Sequence, residues 1–170
     1  MIERIKTHPL TNVGTVLFIF LATIIFSNSI NLHGQIISLG ISFRRLLDGL
    51  HGVILLSVAY AIASLFKNKF ILLLLYLYEM LRVSFFVTLG IENLKLSQFN
   101  WSAVHFLIAV VILICNYLLY MYADDVIALK ANLSGSFFKR WTSSIGEVFN
   151  RYGVWLLVSL AIYFLLVLIF

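Results

Sequence analysis

Apolar residues along this chain fall into five long runs, and the stretches between them hold nearly all of its charges. The runs cover about residues 11–30, 49–66, 70–90, 101–122 and 152–170. An α-helix needs about 20 apolar residues to cross the hydrocarbon layer of a bilayer, and it satisfies its own backbone hydrogen bonds there. The pattern therefore predicts an all-α polytopic membrane protein, with five transmembrane helices in a single integral membrane domain over 1–170. The first run is too long for a cleaved signal peptide, and Ser27-Asn28-Ser29 is a poor cleavage site.

The connections differ in kind. Lys67-Asn68-Lys69 is so short that the second and third runs must form an antiparallel helical hairpin. Residues 91–100 make another short link. Residues 31–48 are longer and half apolar (Ile36, Ile37, Leu39, Ile41, Phe43), which suits a segment lying on the membrane surface or dipping into it. The longest connection, 123–151, reads as an interfacial amphipathic segment between the fourth and fifth helices. There Val126, Ile127, Leu129, Leu133, Phe137, Phe138 and Trp141 alternate with Lys130, Asn132, Lys139 and Arg140. Breaks are expected at Gly135 and at Ser143-Ser144. Small residues let helices approach closely in lipid, so the stripes Ser57/Ala61/Ser64 and Ala59/Ala63 predict that the second helix is the central one.

Composition agrees with the pattern. Of 170 residues 62% are hydrophobic and 11% charged, far from the balance of a soluble domain. So short a chain has too little interior to hide that apolar surface from water. The net charge of +5 comes from Lys and Arg scattered through the connections, which excludes a phosphate-binding face and with it nucleic acid. Counted on alternate sides of the membrane, Arg4, Lys6, Lys67, Lys69, Lys130, Lys139, Arg140 and Arg151 oppose Arg44, Arg45 and Lys95. By the positive-inside rule the N-terminus faces the cytoplasm or matrix and the C-terminus the opposite side, in a bacterial or mitochondrial inner membrane. The sequon Asn132-Leu133-Ser134 then lies on the inner side, away from glycosylation. The one cysteine, Cys115, excludes an internal disulfide and reads as a small core hydrophobe.

Few residues are left to carry chemistry. Glu79 and Arg82 stand at i,i+3 on one face of the third helix, near mid-membrane. Ionisable groups at that depth face a bundle interior, a cavity or each other. They suit a buried packing pair, a proton or ion relay, or an anchor for a polar ligand. His51 and His105 sit at similar depth on parallel helices, the arrangement that holds a b-type haem in a bundle. Arg44 and Arg45 would then pair with propionates, and Gly49 and Gly52 would admit a flat macrocycle. Asp48, with Arg45 and His51, completes a charged cluster at the outer mouth of the second helix. It also serves as an ordinary acid at a helix start. His8 and His33 fall outside the runs. No P-loop, HExxH, GxSxG or catalytic triad can be assembled, so neither an enzyme nor a metal site is expected.

From Leu46-Leu47-Asp48-Gly49-Leu50 to Arg82 the layout resembles, in outline, the phosphate-starvation-inducible small membrane proteins. The shared features are an acidic-Gly start to one span, a basic hairpin and an arginine late in the next. The likeness covers less than half the chain, and neither 123–151 nor the fifth run shares it.

The sequence thus points to a non-catalytic membrane subunit scaffolding a larger membrane complex, with the lipid bilayer and other membrane subunits as partners and no required cofactor. One alternative is a redox anchor subunit holding haem b or a quinone at His51 and His105. Another is a small oligomeric transporter or channel using Glu79 and Arg82.

Overall fold

The computed structural model describes residues 9–29 and 43–169. It contains five helices, α1 (Pro9–Ser29), α2 (Phe43–Ala63), α3 (Lys69–Lys95), α4 (Phe99–Asn132) and α5 (Phe137–Ile169), and no strand among the described residues. Four are long and apolar enough to cross a membrane: α2 from Leu46 onward, α3, α4 and α5. The apolar described part of α1, Gly14–Ser27, is shorter. The connection expected to lie on or dip into the membrane falls, over 31–42, outside the described residues, as do His8, His33, Arg4, Lys6 and Phe170.

The chain forms two compact units. The first takes Met1–Ile36 and Leu77–Val110, the second Ile37–Tyr76 and Val111–Phe170, so α3 and α4 each contribute to both. In the first unit, Ser84 Oγ on α3 lies 3.4 Å from the Ile19 carbonyl of α1, and Phe26 meets Phe85 edge-on at 6.2 Å between centroids. Ser102 at the start of α4 donates to the Gly90 carbonyl at 2.8 Å. The Phe106 ring lies so close to Gly90 that a Cβ there would come within 2.9 Å of it. Two backbone bonds end α3, from Ser97 to Leu94 (3.0 Å) and from Gln98 to Asn93 (2.9 Å). They form a Schellman turn with Ser97 at φ 60°, the left-handed position usually given to glycine.

In the second unit, Asn68 Oδ1 accepts from the Phe70 amide at 2.9 Å and so caps α3 just after the basic turn. The core gathers Leu56, Tyr60 and Ala63 of α2, Leu72 of α3, Leu118, Leu119, Tyr122, Ala123, Val126 and Ile127 of α4, and Val148, Tyr152, Leu156 and Leu160 of α5. Helix α5 rides closely on α2. A Cβ at Gly49 would lie 3.0 Å from the Phe164 ring, and one at Gly52 would lie 3.0 Å from Tyr163 Oη. Those two glycines therefore admit the aromatic rings of α5.

Two expectations change. The most buried of the four candidate spans is α4, with 56% of its apolar window buried against 22% for α2. At the end of the small stripe on α2, Ser64 meets Lys130 of α4 and Trp141 of α5. Residues 123–151 also contain no separate surface helix. The backbone of α4 continues through Asn132, and α5 begins at Phe137. The break falls at Gly135, whose φ of 113° few other residues adopt. Ser143-Ser144 lies inside α5, where the Ser144 hydroxyl donates to the Arg140 carbonyl at 2.8 Å and leaves the helix intact.

Candidate functional site

The acid–base pair of α3 forms within the first unit. Arg82 is equidistant from Lys69 and Lys95. Its Nη1 lies 3.0 Å from Glu79 Oε2, with the Glu79 side chain 8% accessible and the Arg82 side chain 38%. The i,i+3 spacing alone brings them together, because both stand on one face of an unbroken helix. Around the guanidinium opens a cleft of about 410 Å³ lined by Phe26, Tyr78, Leu81, Phe85 and Phe86. A cation is thus presented at mid-helix within apolar, largely aromatic walls, with its charge balanced by a buried carboxylate. Such a cleft suits a group that accepts hydrogen bonds.

His105, also in the first unit, is fully buried. Its Nδ1 lies 2.6 Å from the Trp101 carbonyl. A carbonyl only accepts, so Nδ1 is the donor of this bond. Nε2 is buried with no protein partner among the described residues, beside Phe86 at 6.4 Å between ring centroids. His51 belongs to the second unit and is exposed on α2, as are Arg44 and Asp48. Among the described residues no ion pair joins Arg44, Asp48 and His51, and the side chain of Arg45 lies outside the described set. The space expected beside Gly49 and Gly52 for a macrocycle holds Phe164 and Tyr163 instead.

A second polar site, at the α2–α3 turn, was not anticipated. Lys69 pairs with Asp124 at 2.6 Å. The Tyr152 hydroxyl donates to buried Asp125 at 2.9 Å, and Arg151 approaches the same carboxylate at 3.9 Å. Lys130, only 3% exposed, donates to the Ser64 and Leu65 carbonyls at 2.7 and 2.8 Å and lies 5.1 Å from the centroid of Phe137. Trp141 Nε1 donates to Ser64 Oγ at 3.0 Å. Lys130 thereby caps the C-terminal carbonyls of α2, where the helix dipole favours a cation. It lies beyond the apolar run, past Asp124 and Asp125. Burial pushes its amine below the usual lysine range, with Lys67 and Arg140 adding repulsion. A surface helix over 123–151 would place Lys130 on its polar face. Continuation of α4 instead turns it beneath the hairpin. The acidic pair Asp124-Asp125, set between two apolar stretches, was the available signal.

No protein-family model, curated protein or solved structure matches this chain.

Proposed function

We propose that this protein is a non-catalytic integral membrane subunit that joins a larger membrane assembly through the cleft around Arg82. One observation carries the reading: a guanidinium more than a third accessible, midway along a 27-residue apolar helix, inside aromatic walls. A charge at the centre of a spanning helix costs about 2.5–3.5 kcal/mol on insertion scales. Glu79 offsets part of that, and the guanidinium side chain stays 38% accessible. A partner helix offering a carbonyl, hydroxyl or carboxylate would cover that side chain and gain a charge-assisted hydrogen bond. The aromatic walls supply large, stiff contact area for the same docking.

The test removes both charges together. Glu79→Leu/Arg82→Leu removes the buried acid together with its base, so membrane accumulation and thermal stability should hold near wild type. Gentle detergent extraction and native mass measurement should then show a complex for wild type and loss of the partner for the double variant. A wild-type chain that extracts as a lone stable monomer, or a double variant that keeps its partner, sinks the reading.

One observation favours a second reading. His105 has the second-partner geometry of a ligating imidazole, Nδ1–H on a carbonyl and Nε2 buried with no protein partner among the described residues. A redox anchor using His105 as a haem ligand would show a Soret band that sharpens on reduction. His105→Ala should abolish the band. Purified protein without it removes haem from consideration.

A further inference from the structure

The turn between α2 and α3 and the two helix ends nearest it enclose a cavity of about 210 Å³, lined by Lys67, Ile127, Lys130, Ala131, Phe137 and Arg140. Three cations from three separate segments meet there. Among the described residues none of the three has a carboxylate within ion-pair distance, although Asp124, Asp125 and Glu147 pair elsewhere on the same helices. Arg140 Nε is buried with no protein partner among the described residues. The Lys130 amine uses two of its three N–H donors on carbonyls, which leaves one for the cavity. Like charges gathered without counter-charge are repulsive, and the lowered affinity of Lys130 for its proton reflects that repulsion as well as burial. At about 30 Å³ per water the cavity has room for roughly seven waters, hence for a phosphate with part of its hydration. Next to it Phe66, Phe137 and Phe138 are exposed by 47%, 44% and 66%. They are apolar side chains suited to contact with acyl chains just below the headgroups.

We propose that this cavity binds the phosphate of an acidic phospholipid, with Lys67, Lys130 and Arg140 holding the headgroup and the exposed phenylalanines lying along its acyl chains. Basic pockets among transmembrane helix ends are the usual receptacle for such headgroups. Planar Arg140 is suited to a bidentate grip, and Lys67, exposed on the turn, can swing onto the remaining oxygen.

The experiment uses full-length protein in nanodiscs of mixed phosphatidylglycerol and phosphatidylcholine, released for native mass measurement. Wild type should retain phosphatidylglycerol over phosphatidylcholine. Lys67→Gln and Arg140→Gln should each cut that preference about fivefold, roughly the loss of one surface cation's attraction. Exposed Lys139 on the same helix does not line the cavity, and Lys139→Gln should leave the preference within twofold. Lys130 is left intact because it caps α2. If Arg140→Gln fails to accumulate, Lys67→Gln on the exposed turn still decides. Equal retention of both lipids by wild type, or equal loss in Lys139→Gln and Lys67→Gln, overturns the proposal in favour of diffuse surface charge. Displacement of the lipid by millimolar inorganic phosphate overturns the lipid source in favour of a free anion.

Discussion

Ser64 is fully buried at the end of α2 and links three segments. Its hydroxyl donates to Ala61 at 2.6 Å and accepts from the Trp141 indole, while its carbonyl receives the Lys130 amine. The three bonds are not equivalent. Lys130 reaches backbone, so side-chain replacement at 64 spares it. Trp141 reaches only the hydroxyl, so Ser64→Ala strands an indole N–H in a partly buried site, at a cost of about 1–2 kcal/mol. Thermal unfolding in detergent should fall by roughly 2–8 °C. Trp141→Phe should cost a similar amount, and Ser64→Ala/Trp141→Phe little more than either alone, because each single change breaks the same bond. Additive losses in that cycle would show that the bond is not what holds α5 here.

Helix ends were harder to read than helix interiors, and Ser97 shows the physics. It holds the left-handed position of the Schellman turn between α3 and α4 at φ 60°, which costs a non-glycine residue about 1–2 kcal/mol. Ser97→Gly removes that strain but adds freedom to the unfolded chain, for a net gain of about 0.5 kcal/mol. Ser97→Val, β-branched, should lose more than glycine gains. Thermal midpoints should therefore move in opposite directions, up for Gly and down for Val. A shift of the same sign in both would refute the strain account. The apolar runs announced the helices because a membrane helix is apolar all round. The same property hid where α4 stops: Asp124, Asp125 and Lys130 look like departure from the membrane, yet the backbone stays helical to Asn132. Glu79 and Arg82 were legible as a pair because their contact is local to one helix. The cavity of Lys67, Lys130 and Arg140 was not, since no periodicity links three segments that only tertiary packing brings together.

At the scale of the whole molecule, the charges at the α2–α3 turn bear on orientation. Lys67, Lys69, Lys130, Arg140 and Arg151 all cluster in the second unit around that turn and the α4–α5 break. The α3–α4 turn carries only Lys95, already paired with Glu92 at 2.6 Å. Moving Lys and Arg across a membrane is costly, so we propose that the richer end lies on the cytoplasmic or matrix side. Helix α4 is 34 residues long, about 50 Å, which puts its two ends beyond opposite faces of a ~30 Å hydrocarbon layer. Single cysteines just outside each end should report sidedness directly. Exposed Leu96 and exposed Asn132 are suitable positions, in a Cys115→Ala background. Asn93 is a poor choice because it is buried, with its amide bonded to the Leu89 carbonyl. Leu96→Cys should react with an impermeant thiol reagent added outside, and Asn132→Cys should react only after permeabilisation. The reverse labelling would invert the chain and move the phosphate-binding cavity to the outer leaflet. Labelling of both from outside would mean that α4 does not cross at all. The cleft around Arg82 would then face water or an interface, and the argument for a membrane partner at that arginine would lose its physical basis.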